Sequence, residues 1–339
     1  MMAKITVIIP IYNMSKYLRK CLDSVIEQTL TDIEIICIND GSNDGTDIVL
    51  NKYERIDKRV NVINQANHGV AFARNQGIKQ AKGRYLYFID PDDWIPDNSV
   101  LEDLYTAAVK NEALICGGSF EEVNVETGLI TNWTDKNNQY VFKRNGWIDY
   151  SQYQFDYGWV RFIYNREFLI INDILMPNRI FYEDPVFFVK AMSAAGRFYA
   201  LKRVSYCYRT GHHSYELSYD KAVNLVEGII DIVKIAQSKN YKKLINLEID
   251  RLTDEYALRL AKFMNLPKSE KLRLELNRLN SLVNTPQDVR IECMILQKEY
   301  TRLQSELQEL QCSYNWKVGQ FVLFIPKKIY YWAKHIFHS

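Results

Sequence analysis

The sequence predicts an α/β fold in which a mostly parallel β-sheet carries helices on both faces. Over residues 1–117, short apolar runs alternate with segments whose apolar residues have helical spacing. The apolar runs are nearly continuous and rich in β-branched residues, which is typical of strands buried on both faces. Such alternation indicates parallel pairing, because each strand needs a crossover, usually a helix, to reach its parallel neighbour.

Each element of this first part follows from its local pattern. Ile5–Ile9 is an apolar run that ends at Pro10, and Ser15 is a candidate cap for the next helix, whose apolar residues recur at helical spacing. Cys21, Cys37 and Cys116 lie inside apolar segments and are expected to be buried thiols. Strands are predicted at 5–9, 33–38, 61–63, 85–89 and 113–116, and helices after Ser15 and near 46–55, 69–80 and 99–110.

After residue 117, the predicted secondary structure changes from one region of the chain to the next. Residues 118–180 favour short strands and loops, a helix follows Glu183-Asp184-Pro185, residues 198–208 favour a strand, and residues 221–282 favour helices. We expect an α/β domain over 1–217, a helical extension over 218–285, a short coiled-coil-like helix over 286–315 and a basic aromatic amphipathic tail over 316–339.

A heptad pattern marks the third of these regions. Apolar residues recur every seven positions at Val289, Leu296, Leu303 and Leu310, and the companion positions hold Cys293, Tyr300, Leu307 and Tyr314. The pattern predicts a short coiled-coil seam through which two copies of the chain associate. The alternative is a single helix that packs on its own domain.

The tail after residue 315 combines aromatic and basic side chains. It contains no acidic residue, and Lys317, Lys327, Lys328 and Lys334 accompany Trp316 and Trp332. A basic helix with an aromatic face is typical of segments that bind an anionic bilayer surface, although it can also dock on its own domain. Because the N-terminus lacks a signal-like apolar region, we expect a cytoplasmic protein held at the inner membrane surface by this tail.

Charge and cysteine spacing exclude other classes of function. The chain has 43 Lys plus Arg and 41 Asp plus Glu, so its formal net charge is +2, which argues against a nucleic-acid-binding protein. Its cysteines form no CxxC pair, which argues against zinc-finger and thioredoxin-like motifs.

Three polar clusters follow three of the predicted strands. They are Pro10-Ile11-Tyr12-Asn13, Asn39-Asp40-Gly41-Ser42-Asn43-Asp44-Gly45-Thr46 and Asp90-Pro91-Asp92-Asp93. In open parallel sheets, ligands bind beyond the carboxyl ends of the strands. The sequence therefore predicts that the three clusters meet in one crevice.

The second cluster contains two aspartates with different expected roles. Asp40 precedes the turn at Gly41 and is expected to accept hydrogen bonds from a nucleobase or a ribose. Asp44 is expected to be a turn and helix-cap residue.

The third cluster places three carboxylates within four residues. Asp90, Asp92 and Asp93 repel one another and attract a cation, and hard oxygen ligands favour Mg²⁺ or Mn²⁺. The alternative is an acidic loop before a helix. Arg74, on the preceding helix, is expected to pair with phosphate or with this acidic loop, or else to be solvated.

Together these segments resemble the family 2 glycosyltransferases of the GT-A fold. The resemblance extends over about residues 4–215 and is closest in the first half. It is carried by the order and spacing of Val7-Ile8-Ile9-Pro10-Ile11-Tyr12-Asn13, of the Asn39–Thr46 cluster, of Ala73-Arg74-Asn75-Gln76-Gly77 and of Phe88-Ile89-Asp90-Pro91-Asp92-Asp93.

The resemblance implies a bacterial-type inverting glycosyltransferase with a nucleotide-sugar donor, for which we expect a UDP-sugar, and a divalent cation, Mn²⁺ or Mg²⁺. It implies that Asp92 binds the cation and that Asp90 lies at the ribose or the cation. Residues implied at the donor are Pro10, Tyr12, Asn13, Asp40, Gly41, Ser42, Arg74, Asp90 and Asp93.

The resemblance also implies a base on the acceptor side. Phe181–Phe188 resembles the family's Glu-Asp segment, in which the aspartate, here Asp184, removes a proton from the acceptor hydroxyl. Asp184 before Pro185 also fits a helix N-cap with proline at the first helical position. His212 or His213 could join the metal site, although surface histidines are favoured, and Trp159 and Arg161 could face the acceptor or belong to the core or surface.

We therefore expect transfer of a sugar to a hydroxyl of a glycan or glycolipid near the inner membrane. A sugar-phosphate nucleotidyltransferase is one alternative, but the segment 10–13 lacks the glycine and lysine of a triphosphate loop. A non-catalytic glycan-binding scaffold is another, and it would not need both Asp92 and Asp184.

Overall fold

The structure is a computed structural model that describes residues 3–131, 140–211, 216–264, 266, 269–284 and 290–312, with side chains up to residue 309. The described residues form one sheet in the order β3-β2-β1-β4-β8-β5-β9-β7, and β6 pairs with β5. The strands are β1 Ile5–Ile11, β2 Ile33–Asp40, β3 Val60–Gln65, β4 Tyr85–Phe88, β5 Ile115–Asn124, β6 Ile130–Thr131, β7 Gly146–Asp149, β8 Phe162–Asn165 and β9 Arg197–Thr210.

The predicted α/β class is confirmed, and the sheet is mixed. Strands β3, β2, β1 and β4 are parallel, and Val7 of β1 pairs with Ile35 of β2 and with Tyr87 of β4. Strand β8 runs antiparallel between β4 and β5, so the fifth predicted strand does not extend the parallel set. Local periodicity predicts that a strand exists but not which neighbour it pairs with, because pairing depends on distant segments.

Four helices follow strands β1–β4 in the chain, three of them close to their predicted bounds. Helix α1 buries Leu18, Cys21, Leu22 and Val25, but it begins at Leu18 with Tyr17 at the N-cap position, so Ser15 is not its cap. The predicted burial of Cys21, Cys37 and Cys116 is confirmed. The helices of the first domain are α1 Leu18–Ile26, α2 Thr46–Ile56, α3 Val70–Gln80, α4 Val100–Lys110, α5 Tyr150–Tyr153, α6 Arg166–Ile171 and α7 Glu183–Ala195.

The helical extension begins at Tyr219 and packs on the α/β domain through α7. Its helices are α8 Tyr219–Ser238, α9 Lys242–Asp250, α10 Ala257–Met264, α11 Glu270–Val283 and α12 Ile291–Cys312, and a π-helical turn, Arg251–Glu255, joins α9 to α10. Helix α8 contacts α7, α9 and α11, which makes it the centre of the extension.

Helix α12 carries the heptad pattern and packs partly on the extension. Ile291 and Ile295 are buried where α12 contacts α10 and the π-helical turn, whereas Leu307 further along is 38% exposed. Intramolecular packing thus accounts for the start of the helix, and self-association through the coiled coil stays a prediction. The basic aromatic tail, 316–339, lies outside the described residues. Within the described part of the chain, no helix has the length and apolar character to cross a membrane.

Candidate active site

The carboxyl ends of β1, β2 and β4 lie side by side at one edge of the sheet. Because these strands are parallel neighbours, the loop after β1, the end of β2 and the loop after β4 share that edge. Tyr12, Asp40 and Asp90 occupy these positions, so the predicted convergence of the three polar clusters agrees with the topology.

Two of the loops are joined by hydrogen bonds. The amide of Asn13 donates to Ser42 Oγ at 3.0 Å, and the amide of Asn43 donates to Asn13 Oδ1 at 2.9 Å. Asp44 accepts from the amides of Ser15 and Thr46, both at 3.0 Å, so its predicted turn role is confirmed, whereas Gly45 holds the N-cap position of α2. Asn13 and Ser42 therefore brace the loops, and their predicted contact with the donor stays a prediction.

Asp40 orders the loop that precedes α3. It is 3% exposed, and its carboxylate accepts from Gln65 Nε2 at 2.7 Å and from the amides of His68 and Gly69 at 2.9 and 2.8 Å. Its predicted contact with the nucleobase stays a prediction, since these three donors already engage the carboxylate. Tyr12, by contrast, is 49% exposed and offers an aromatic ring to a ligand.

Gly41 is required where the loop before α3 passes over β2. Its φ is +77°, and a Cβ there would lie 2.9 Å from the backbone nitrogen of Asn67. Both the left-handed conformation and the close approach disfavour any side chain at this position.

The acidic loop after β4 is anchored by its last aspartate. Asp93 is 1% exposed and accepts from Tyr206 Oη at 2.6 Å and from the amide of Arg209 at 2.7 Å. Burial, with the neighbouring Asp92 and Asp90 carboxylates, raises the pKa of Asp93 well above its usual range. Asp93 thus holds the loop against β9, while Asp90 and Asp92 stay partly exposed, and the predicted contact of Asp93 with the donor stays a prediction.

Arg74 links this loop to the start of α7. Arg74 is 5% exposed, and its guanidinium donates to Asp90 Oδ1 at 2.7 Å and to Glu183 Oε1 at 2.9 Å. Its charged carbon lies 4.8 Å from the centroid of the Trp159 ring, which is a cation–π contact. The predicted pairing of Arg74 with the acidic loop is confirmed.

The Arg74–Glu183 ion pair brings Asp184 into the same cluster. Asp184 lies in the first turn of α7, which begins at Glu183, and Tyr182 holds the N-cap position without a side-chain hydrogen bond. The expectation that Asp184 itself caps the helix is therefore wrong, because the chain enters the helical conformation two residues earlier than such a cap requires.

The environment of Asp184 changes its proton affinity. Burial and the Glu183 and Asp90 carboxylates raise the pKa of Asp184 to about 7, against the opposing effect of Arg74. A carboxyl group that titrates near neutral pH can accept a proton under physiological conditions. Such perturbed groups in a cleft are candidates for catalysis.

The carboxylates at this edge of the sheet suit a divalent cation only if a bound diphosphate supplies further oxygen atoms. Asp90 and Asp92 supply hard oxygens, but Asp90 is paired with Arg74. Within the described ranges, no three His, Cys, Asp or Glu side chains form a cluster that could hold a metal by themselves. Asp92 is also partly exposed and can offer a carboxylate oxygen to a cation, and its predicted role as a metal ligand stays a prediction. His212 and His213 lie outside the described residues.

Two residues considered for the acceptor side belong to the interior. Trp159 is 3% exposed and Arg161 is fully buried, with Arg161 donating to the Tyr140 carbonyl at 2.6 Å. An acceptor-facing role for them is wrong, since neither side chain reaches the surface.

Sequence reasoning missed Tyr206 and Arg209. The Arg209 Nε donates to the Asp92 carbonyl at 2.5 Å, and the Tyr206 hydroxyl accepts from the Asp90 amide at 3.1 Å. Nothing local in β9 indicates these contacts, because they join residues more than 100 positions apart.

Comparison with known proteins assigns the family. The profile of the family described as "Glycosyl transferase family 2" matches residues 6–175. The chain belongs to glycosyl transferase family 2. The matched segment contains the polar loops after β1, β2 and β4, and it ends before Glu183 and Asp184.

Curated relatives of this family 2 chain are matched over parts of their length. Glycosyltransferase GlyA of Streptococcus pneumoniae serotype 4 is 44% identical over 127 residues, which cover 38% of this chain and 18% of GlyA. The uncharacterized glycosyltransferase EpsJ of Bacillus subtilis is 32% identical over 232 residues, which cover 66% of each protein. The matches thus span less than two thirds of these relatives.

Solved structures confirm the GT-A fold. TarS 1–349 of S. aureus, crystallised in complex with UDP-GlcNAc, has a TM-score of 0.71 at 20% identity, covering 90% of this chain and 92% of that one. Mannosyltransferase PcManGT from Pyrobaculum calidifontis, in complex with GDP-Man and Mn²⁺, has a TM-score of 0.52 at 13% identity, covering 88% of both chains.

Replacing Arg74 tests the link between the acidic loop and α7. Arg74→Met leaves Glu183 buried and Asp90 partly buried without their shared cation, so we expect it to lower the free energy of unfolding by about 3–5 kcal/mol in urea titrations. Arg84→Met, which changes an exposed arginine, should cost less than about 1 kcal/mol. Equal losses in the two variants would contradict the assigned link.

The raised pKa of Asp184 predicts a pH-dependent stability difference. An unfolded Asp ionises near pH 4, so the wild type loses stability as pH rises from about 4 to about 7, where the folded group ionises. Asp184→Asn escapes this loss, and we expect similar free energies of unfolding at pH 4 and about 2–4 kcal/mol more stability for the variant at pH 8. Exposed Asp250→Asn is the control, and a pH-independent difference for Asp184→Asn would refute the raised pKa.

Proposed function

We propose that this chain is an inverting glycosyltransferase that moves a sugar from a nucleotide diphosphate sugar to a hydroxyl of a glycan or glycolipid. The observation that carries the proposal is the double ion pair of Arg74. It joins Asp90, in the acidic loop at the strand ends, to Glu183, the neighbour of Asp184. A loop suited to a cation and diphosphate therefore lies beside a carboxyl group with a pKa near neutral. Membership in family 2 supports the reaction class.

The donor that we propose is a UDP-sugar bound along the strand-end edge. The exposed Tyr12 ring would stack on the base, with Pro10 and Asp40 beside it. Asn13, Gly41 and Ser42 would line the same loops, where the bracing hydrogen bonds limit movement on binding. The UDP-GlcNAc complex of the similarly folded TarS supports the choice of nucleotide.

Asp92, with Asp90 nearby, would hold Mn²⁺ or Mg²⁺. When bound, the cation neutralises the diphosphate and stabilises the departing nucleoside diphosphate. Asp93 and Arg209 hold the loop in place, so Asp92 needs little reorganisation to meet its ligand. The Mn²⁺ in the PcManGT complex supports a cation in this fold.

Asp184 is the proposed base. As the acceptor oxygen attacks the anomeric carbon, its proton passes to Asp184, and the bond from the anomeric carbon to the diphosphate oxygen breaks on the opposite face. This single displacement passes through an oxocarbenium-like state and inverts the anomeric configuration. The anionic form of Asp184 is required, so the rate should fall as pH decreases through about 7.

A donor screen tests the reaction. Full-length protein is mixed with nucleotide sugars, Mn²⁺ or Mg²⁺, and glycan or glycolipid acceptors, and released nucleoside diphosphate and product are measured. We expect turnover with a UDP-sugar, a loss of about 10²–10⁴-fold in Asp184→Asn, and a comparable loss in Asp92→Asn. Asp250→Asn should keep wild-type turnover.

The variants and the released products distinguish the proposed glycosyltransferase from the two alternative functions. Near-normal turnover of Asp184→Asn or Asp92→Asn refutes the role of that residue. Release of pyrophosphate would identify a nucleotidyltransferase instead, and glycan binding that is insensitive to both substitutions would identify a scaffold.

We also propose that the chain works on the cytoplasmic face of the inner membrane and associates as a homo-oligomer through α12. Four lysines of the tail and its aromatic residues support the first point, and the exposed Leu307 on the heptad stripe supports the second.

Vesicle sedimentation tests the tail. Full-length protein should pellet with vesicles that contain anionic lipid, less so as salt increases, and should stay in the supernatant with neutral vesicles. Deletion of 316–339 should abolish pelleting, and replacing Lys327, Lys328 and Lys334 with Gln should weaken it. Unchanged pelleting of the deletion variant would rule out the tail as the anchor.

A further inference from the structure

Tyr182, two residues before Asp184, has an unusual backbone conformation. Its φ of +64° and ψ of 23° lie in the left-handed region, although it is a bulky aromatic residue and only 2% exposed. This conformation is unfavourable for a bulky side chain and persists only where the surrounding structure enforces it. The surroundings of Tyr182 therefore determine how the chain enters α7.

Helix α8 of the extension packs closely against Tyr182 at Gly228, which has no side chain. A Cβ on Gly228 would lie 2.7 Å from Cδ1 of Tyr182 and 3.2 Å from its carbonyl oxygen. Glycine inside a helix is less favourable than alanine, so its presence here needs a packing reason. The close approach of Tyr182 supplies that reason.

The hydroxyl of Tyr182 is held in a buried polar cluster. It donates to Glu248 Oε2 of α9 at 2.9 Å and lies 3.3 Å from Oδ2 of Asp156. Glu248 and Asp156 are both fully buried. Burial and the nearby Asp156 carboxylate raise the pKa of Glu248 well above its usual range, which favours its uncharged form.

Arg251 completes the cluster from the π-helical turn. Its Nε and Nη2 donate to the two oxygens of Asp156 at 2.7 and 2.5 Å, and its charged carbon lies 3.4 Å from the centroid of the Tyr157 ring. Two parallel hydrogen bonds of this kind fix direction as well as distance. Single π-helical turns within helices occur frequently at functional sites.

We propose that Gly228, Glu248, Arg251 and Asp156 form a clamp that fixes Tyr182 and thereby positions Glu183 and Asp184. They are positioning residues, which act on the reaction through the backbone at the start of α7. Three of the four belong to the helical extension, so the extension would set the geometry of the proposed base. The consequence for catalysis rests on the proposed function, whereas the clamp itself does not.

Gly228→Ala is the sharpest test, because it removes no polar group and improves helix propensity. The new methyl group would displace Tyr182. Tyr182→Phe is the second variant, since it removes only the hydroxyl that the cluster holds. Leu279→Ala is the control, because it removes buried side-chain atoms from α11, which packs on α8, and should lower Tm without a change at Tyr182.

Two measurements are made on the full-length chain. In hydrogen exchange, amides at 181–188 should exchange at least about tenfold faster in Gly228→Ala and Tyr182→Phe than in wild type or Leu279→Ala. In steady-state kinetics, both clamp variants should have a kcat about 10–100-fold below that of the wild type, while the donor KM stays within about twofold of the wild-type value. The acidic limb of the plot of kcat against pH should also shift. Leu279→Ala, assayed well below its Tm, should keep kcat and its pH profile.

Unchanged exchange at 181–188 in both clamp variants overturns the clamp, whatever reaction the protein catalyses. Faster exchange with unchanged kcat overturns its positioning role, as does an equal kcat loss in Leu279→Ala. If Asp184→Asn is active while exchange is faster in the clamp variants, the proposed base fails and the clamp stands.

Discussion

The buried guanidinium of Arg74 is the interaction on which the rest of the candidate site depends. Asp90 comes from the loop after β4 and Glu183 from the start of α7, and like charges would keep these two segments apart without a cation between them. Burying an arginine is costly unless its charge is paired, and here two carboxylates and the Trp159 ring surround it. The same arrangement brings Asp184 close enough to these groups for its pKa to rise to about 7.

The three aspartates of the acidic loop differ because their surroundings differ. Asp93 is sealed against β9 by Tyr206 and Arg209, Asp90 pairs with Arg74, and Asp92 remains partly exposed at the edge of the sheet. Three identical side chains within four residues therefore differ in their surroundings: Asp93 anchors the loop and Asp90 forms an ion pair, while the metal role of Asp92 stays a prediction. Strand β9 supports the acidic loop through Tyr206 and Arg209, and its alternation of aromatic and polar residues does not predict this contact.

The helical extension is joined to the α/β domain by more than apolar packing. Asp156 and Tyr182 of the first domain share one buried polar cluster with Glu248 and Arg251 of the extension. Buried polar groups that are this closely paired tolerate little relative movement, since separation would leave charges unpaired in the interior. The likeness to TarS extends over 90% of the chain, so the extension is part of the shared architecture.

The sequence by itself determined the parallel strands β1–β4, helices α2–α4 and the edge at which their polar loops meet, because strand and helix periodicities are local and parallel strands end together. The tertiary structure alone decided that β8 separates β4 from β5, that Tyr182 rather than Asp184 precedes α7, and that Trp159 and Arg161 are interior. It also decided that Arg74 pairs with Glu183 and that Asp93 pairs with Tyr206, residues that are 109 and 113 positions apart in the chain. Contacts at such separations arise only when distant segments pack together, and no local pattern records them.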